Sequence, residues 1–279
     1  GGTVTPTDGS VTGDKLASTV TTSSNISLDG GTFIFNESGA DKDFRIESSS
    51  NANALHVDGG NSSVGINTTG ASDASLQIND AVSLIKMLDT DDNTFSRMYH
   101  SAGNFLIDVD KGDTGSGSYF QLGIDDEQVM KITADGEMTL AKQPAFSARN
   151  NATQSNIDNN TLILFGAETF DIGSNFASDH TFTAPVTGKY QFNAMVRMDN
   201  LDSSGSWVAM TLQTSNRNYG VLNSASTLDT DSGYWTFNLN VLADMDANDT
   251  ANVLFNKSGG SDTGDATDGA GHFNGFLVC

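Results

Sequence analysis

Basic residues are scarce in this chain: 13 Lys and Arg stand against 35 Asp and Glu in 279 residues, a net charge of −22. Nucleic-acid binding draws on clustered cations that displace counterions from phosphates, and no such cluster is present, so that class is excluded. An anionic membrane surface would repel the chain for the same reason. Acidity instead favours solubility and mutual repulsion of copies, and salt screens that repulsion over a few ångströms. Cysteine occurs once, at Cys279, which excludes an intrachain disulfide and leaves stability to packing and association. At the end of an apolar strand, Cys279 reads as a small, inert, buried residue. Long apolar runs are missing as well. The longest, Leu162-Ile163-Leu164-Phe165, is far too short to span a bilayer, so membrane insertion is not expected. No leader pattern opens the chain. It begins Gly1-Gly2-Thr3 without methionine, as expected of a piece of a longer protein, a processed product, or a tag scar ahead of a complete one.

Catalytic and metal motifs are equally thin. The four histidines, His56, His100, His180 and His272, have no His, Cys or Glu neighbour at zinc-ligand spacing. No G-x-S-x-G elbow and no phosphate-cradling glycine loop before a helix occurs. Paired carboxylates could cleave a polysaccharide, but such pairs need fixed separations, and no catalytic residue is assigned. Four oxygen-rich runs are of the kind calcium accepts: Asp89–Asn93, Asp229–Asp231, Asp244–Asp249 and Asp262–Asp268. The Asp244 run opens D-x-D-x-N, then carries Asp249 where a calcium loop needs glycine and Phe255 where it needs a bidentate Glu. Solvated turns at strand ends are the preferred reading, a calcium ion the alternative, and no cofactor or metal ligand is assigned.

What is present is alternation. After the turn-forming Ala184-Pro185-Val186-Thr187-Gly188, the residues Tyr190, Phe192, Ala194, Val196 and Met198 fall on one parity, while Lys189, Gln191, Asn193 and Arg197 fall on the other. Met195 is the one lapse. Such a run predicts a long strand with one wet and one dry face. Upstream, aromatics recur at Phe165, Phe170, Phe176 and Phe182. Val208, Met210 and Leu212 share one parity; Trp235, Phe237, Leu239 and Val241 share another; Val253 and Phe255 follow. Helical periodicity is nearly absent, and Gly, Ser, Thr, Asn and Asp punctuate short apolar groups throughout, so the chain is read as all-β.

The string Phe165-x5-Asp171-x4-Phe176-x5-Phe182-x5-Gly188-x-Tyr190-x-Phe192-x-Ala194 resembles the signature of the C1q/tumour-necrosis-factor-like jelly roll. It departs in two places: the family has one more residue between the second and third aromatics, and an aromatic where Ala194 stands. The final stretch, Gly271-His272-Phe273-Asn274-Gly275-Phe276-Leu277-Val278, is similar to that family's closing F-x-G-F-L strand. The resemblance covers residues 144–279. It implies a jelly-roll β-sandwich with Phe165, Asp171, Phe176, Phe182, Gly188, Tyr190, Phe192, Phe273, Gly275, Phe276 and Leu277 as signature and core. Both parities of the closing strand are apolar, Phe273 and Leu277 on one and Phe276 and Val278 on the other. This strand is expected on the axis of a trimer or, alternatively, in the middle of a monomeric sandwich.

The first half is different. Residues 1–30 hold few apolar side chains and are expected to be extended, flexible or wound with identical copies. From 31 to 142, short strands are expected at Phe33–Phe35, Phe44–Ile46, Ala54–Val57, Val64–Ile66, Leu76–Ile78, Ser83–Leu88, Phe95–Tyr99, Phe105–Val109, Tyr119–Ile124, Val129–Ile132 and Glu137–Leu140. Each is too short to build a monomeric core, which suits a shaft in which three chains share one narrow core. Leu55-His56-Val57-Asp58-Gly59-Gly60-Asn61-Ser62-Ser63-Val64-Gly65-Ile66-Asn67-Thr68-Thr69 resembles the shaft segments of phage tail fibres. Thr7–Ala17 and Ala134–Phe146 resemble further segments of marine-phage fibres, the second leading into their C1q-like tips.

The resemblance implies three domains: an extended segment over 1–30, an intertwined β-rich shaft over 31–142 and a jelly-roll head over 143–279. It implies a homotrimeric virion tail fibre, extracellular, whose distal head binds a host cell-surface glycan or protein without covalent chemistry, while other virion tail proteins engage a missing N-terminus. A trimer presents three equivalent sites and so gains avidity. Expected contact loops are Asn200–Ser206, Asn216–Leu228 and Gly259–Ala270, bordered by Trp207, Tyr219 and Tyr234. Two alternatives remain at this level: a purely structural fibre whose head drives trimerisation, and a secreted cellular C1q-like adhesin.

Overall fold

The computed structural model describes residues 39–70, 72–227, 232–260 and 263–279. The expected strand at Phe33–Phe35, the Thr7–Ala17 motif, the whole segment 1–30 and the run Asp229–Asp231 lie outside these. The chain forms two compact units, Gly1–Thr114 and Gly115–Cys279.

In the first unit, β1 (Phe44–Ile46), β2 (Leu55–Asp58), β3 (Ser63–Ile66) and β4 (Leu76–Ile78) form one sheet in that order, antiparallel except for the β3–β4 pair. A second sheet is the meander β5 (Ser83–Leu88), β6 (Phe95–Ser101) and β7 (Asn104–Asp108). Short polar side chains end these strands. Asp58 accepts the Asn61 backbone N–H at 2.8 Å, and Asp92 accepts that of Thr94 at 2.9 Å. Ala102 and Gly103, both at positive φ, close the two-residue turn between β6 and β7. Gly65 explains the V-G-I of the shaft-like motif: a Cβ there would lie 2.3 Å from the Thr68 carbonyl oxygen, because the chain folds back over β3.

The meander leaves apolar side chains half-exposed on both faces. Ile85 and Ile107, joined across the sheet through Met98, are 45% exposed on one face; Leu84 and Leu88 are 41% and 49% exposed on the other. Among the described residues, neither face is sealed.

The second unit opens with a third small antiparallel sheet of β8 (Tyr119–Ile124), β9 (Glu127–Thr133) and β10 (Met138–Thr139), ordered β10-β9-β8. Lys142 pairs with Glu127 at 2.7 Å behind it. The boundary between compact units therefore falls inside the stretch expected to form the shaft, and this third sheet shares a unit with the domain that follows.

That domain comprises β11 (Ala145–Arg149), β12 (Gln154–Ile157), β13 (Thr161–Leu162), β14 (Ala167–Ile172), β15 (Phe182–Thr183) and β16 (Gly188–Leu201). It continues through β17 (Gly205–Thr214), β18 (Asn218–Ser224), β19 (Ser232–Met245), β20 (Thr250–Gly259) and β21 (Gly264–Leu277). One sheet runs β14-β11-β21-β16-β19, with β12 paired to β21; the other runs β13-β20-β17-β18, with β15 paired to β20. The chain crosses between sheets from β16 to β17, from β18 to β19, from β19 to β20 and from β20 to β21. These crossings make the domain a jelly roll, and the described residues are all-β apart from a 3₁₀ turn at Ala225–Thr227.

The alternating run forms β16, and Tyr190, Phe192, Val196 and Met198 are fully buried, Ala194 nearly so. Phe146 stacks on Phe176 at 4.7 Å and on Phe182 at 4.9 Å, and meets Phe273 edge-on at 4.9 Å. Phe165 lies 5.7 Å from Phe273. Gly275 is where the closing strand crosses this cluster: a Cβ there would sit 2.5 Å from the Phe192 ring and 2.9 Å from that of Phe146. Gly188 is similarly overlaid by the Leu277 side chain and the Cys279 carbonyl. Asp171 has a structural task, accepting the backbone N–H groups of Asn175 at 3.0 Å and Phe176 at 2.8 Å and so fixing the turn that delivers Phe176 to the core. The Tyr190 hydroxyl donates to the Val186 carbonyl at 2.8 Å, tying the strand to its preceding turn.

Two expectations are corrected, for Cys279 and for two contact loops. Cys279 is exposed, because β21 ends at Leu277 and the terminal residues run along the edge at Lys189. Phe170, outside the expected core set, points outward from β14 and is 48% exposed. Much of the loops expected at 216–228 and 259–270 is strand, β18 and the first half of β21, because Gly and Asn continue a ladder whose register neighbours supply the packing.

Candidate functional site

Two outward faces of the jelly roll collect functional side chains. On the face of the larger sheet, register places Ile172, Ala145, Phe276, Gln191 and Leu242 in one row across five strands. Phe276 and Leu242 are 45% and 58% exposed. The next row is Phe170, Ser147, Asn274, Asn193 and Asn240, in which the Asn193 carboxamide donates to that of Asn274 at 3.0 Å. The closing strand is therefore buried on one side only: Phe273, Gly275 and Leu277 turn inward, and Phe276 and Val278 turn out.

On the opposite face, β17, β18 and β20 bound an open groove of about 440 Å³. Its floor is low because Ala209, Thr211 and Gly220 are small. Trp207 stands at one end, and Leu222 and Leu254 form the sides. Carboxamides of Asn160, Gln213, Asn218 and Asn256 complete the lining, which contains no charged residue.

The three aromatics expected to contact a ligand are not brought together. Trp207 faces the groove. Tyr219 has the opposite parity on β18 and packs against the core, with its neighbour Val221. Tyr234 is 69% exposed on β19, in the other sheet, with the Arg197 guanidinium 5.1 Å from its ring centre; Asp199 holds that guanidinium at 2.8 and 3.0 Å. Sequence reasoning named Trp207 and included Asn218 in the 216–228 segment, but did not single out Asn160, Gln213 or Asn256. Register alone pairs Gln213 with Asn218 and Ala209 with both Leu222 and Asn256, and no local motif announces that pairing.

The acidic runs are largely occupied by their own turns. Asp249 accepts the Asn216 side chain and the Asp246 backbone N–H, each at 2.8 Å, while Asn248 takes a positive φ. Lys189 pairs with Asp244 and holds its carboxyl below the usual carboxylate range. Among the described residues, one trio of carboxylates lies within 4.8 Å: Asp41, Asp43 and Asp58. Asp43 accepts the Gly59 N–H at 3.1 Å and faces the buried His56 Nε2 at 3.4 Å. The Asn61 backbone and side-chain N–H groups keep the Asp58 carboxyl low. These bonds close the β1–β2–β3 turns, and the trio was not among the runs singled out from sequence. Among the described residues no helix is long and apolar enough to cross a membrane.

No protein-family model matches the chain, and no curated protein matches it. Solved structures similar to it include the globular domain of zebrafish complement 1qA protein, at 18% identity and a TM-score of 0.37 over 49% of this chain and 98% of that one. Murine APRIL is similar at 10% identity and a TM-score of 0.37 over 49% of this chain and all of that one. Eiger TNF from S. frugiperda is similar at 10% identity and 0.38 over 49% and 94%. The strand order itself makes the second half of the chain a jelly-roll β-sandwich.

Proposed function

We propose that this protein is a homotrimeric fibre, of the phage tail-fibre type, whose C-terminal jelly roll binds a host cell-surface molecule without covalent chemistry. The observation that carries the oligomer is the small sheets. Apolar residues emerge on both sides of a single layer, and a three-stranded sheet in water needs a second layer to bury them. Copies of the same chain supply that layer at every level. The row through Phe276 and Leu242 offers the head a matching apolar contact between copies, flanked by carboxamides that can bond their counterparts.

Binding is assigned to the head because its strands hold one rigid frame and its other outer face stays open. The test is adsorption. The whole chain, added to host cells, should compete with the parent virus for attachment, and a chain lacking 143–279 should not. Loss of competition with trimers intact supports a receptor-binding head. Loss of trimers on the same deletion would show that the head registers the fibre, and competition undiminished by the deletion would contradict the receptor role.

A further inference from the structure

We infer that the groove over β17, β18 and β20 binds a neutral polysaccharide or oligosaccharide, with Trp207 as its stacking platform. This deepens the receptor-binding proposal above and rests on it. A sugar ring presents an apolar C–H face and a rim of hydroxyls that both donate and accept. The groove offers the complement of each. The Trp207 indole and Leu222, the latter 62% exposed, supply apolar surface. Asn160, Gln213, Asn218 and Asn256 each carry a donor and an acceptor on one carboxamide. Among the described residues none of these four side chains is engaged in a hydrogen bond within the protein. Across β20 from Gln213, the Asn252 Oδ1 is buried without a partner.

Charge selects the occupant. The chain carries −22, yet the groove lining holds no Asp, Glu, Lys, Arg or His. An acidic polymer would meet overall repulsion with no cation in the groove to offset it, and a cationic ligand would find no carboxylate. A protein partner would have to match four carboxamides in a small area, whereas hydroxyl-rich neutral sugar does so by composition. No bond is made or broken.

The test is affinity electrophoresis of the whole chain through gels containing dextran, mannan or galactan, with alginate as the charged counterpart. Retardation by at least one neutral polymer and none by alginate is expected. Trp207→Ala should weaken that retardation about tenfold or more, as truncating an aromatic anchor does. Gly220→Val should weaken it similarly by filling the floor; a Cβ there meets nothing nearer than 3.4 Å, so this variant keeps the fold. Tyr234→Ala should bind as the parent does. In a Trp235→Phe chain Trp207 is the sole indole of the original two, and its emission should shift on adding the retarding polymer. Indifference to all three neutral polymers, equal retardation by alginate, or undiminished binding by both groove variants overturns the assignment. If parent and Trp207→Ala chains compete equally for cells, the receptor role stands and the groove assignment falls. If neither competes, both fall.

Discussion

The jelly roll and the small sheets that precede it are built from the same residue types and, the β3–β4 pair apart, the same antiparallel pairing, yet they dispose of apolar surface in opposite ways. In the head, eight aromatic side chains led by Tyr190, Phe146 and Phe165 are essentially sealed from water, among the described residues. In the small sheets Phe105 is 71% exposed, Ile124 64% and Met138 60%. Strand length separates them. Fourteen-residue strands such as β16 and β19 span a whole sandwich and let two sheets face each other. Strands of two to seven residues make patches that no described residue of their own chain seals. The head carries its core within one chain, and the preceding sheets are the part we propose to be completed by copies.

The sharpest way to break that contrast is to charge the meander. Ile85→Asp with Ile107→Asp puts two carboxylates into one row of the proposed shared core, where an unpaired charge is costly. Light scattering should then show the oligomer falling to single chains, while near-ultraviolet circular dichroism still reports a packed head. The reverse experiment strikes the head. Gly275→Ala presses a methyl against the Phe192 and Phe146 rings and should cost about 1–3 kcal/mol, seen as a lower melting temperature for the head alone. Next in size, Asp171→Ala leaves two backbone N–H groups at the Phe176 turn without their acceptor and should cost about 1–2 kcal/mol in the same transition.

Acid gives the smallest and most diffuse effect. Hydrogen bonds from the Thr94 and Asn61 turns hold Asp92 and Asp58 low, as Lys142 does Glu127 and the Asn159 N–H does Asp158. A carboxyl held below its unfolded value stabilises the fold when ionised. That contribution is complete above about pH 4 and fades as pH falls below it. These groups are exposed, so each step is slight, and a melting-temperature series from pH 6 to pH 3 should decline gently. At the alkaline end the sign reverses. Burial raises the Tyr190 hydroxyl, so stability should fall as pH climbs past about 10, where the unfolded chain ionises first. Tyr190→Phe should remove that alkaline loss.

Much of this architecture was legible in order. The period of two from Tyr190 to Met198 identified the longest inward face, and Asp and Gly punctuation located short strands such as β4, β5 and β8 to the residue. Three features were not legible, each for a physical reason. Phe170 carries the same local signal as Phe165, and its pairing with Ser147, on the face opposite the buried Phe146, turns it outward. Gly- and Asn-rich stretches look like loops because their ladder bonds come from distant partners. The groove is assembled from carboxamides on three strands whose register sequence does not state. Trp207 was named because an aromatic residue announces itself alone; its neighbours do not.

The most direct measurement is absolute mass in solution, by size-exclusion chromatography with light scattering on the whole chain. A particle of three times the 29.3 kDa chain mass is expected. A stable single-chain species would contradict the shared core, since the apolar faces of the meander would then be standing open in water.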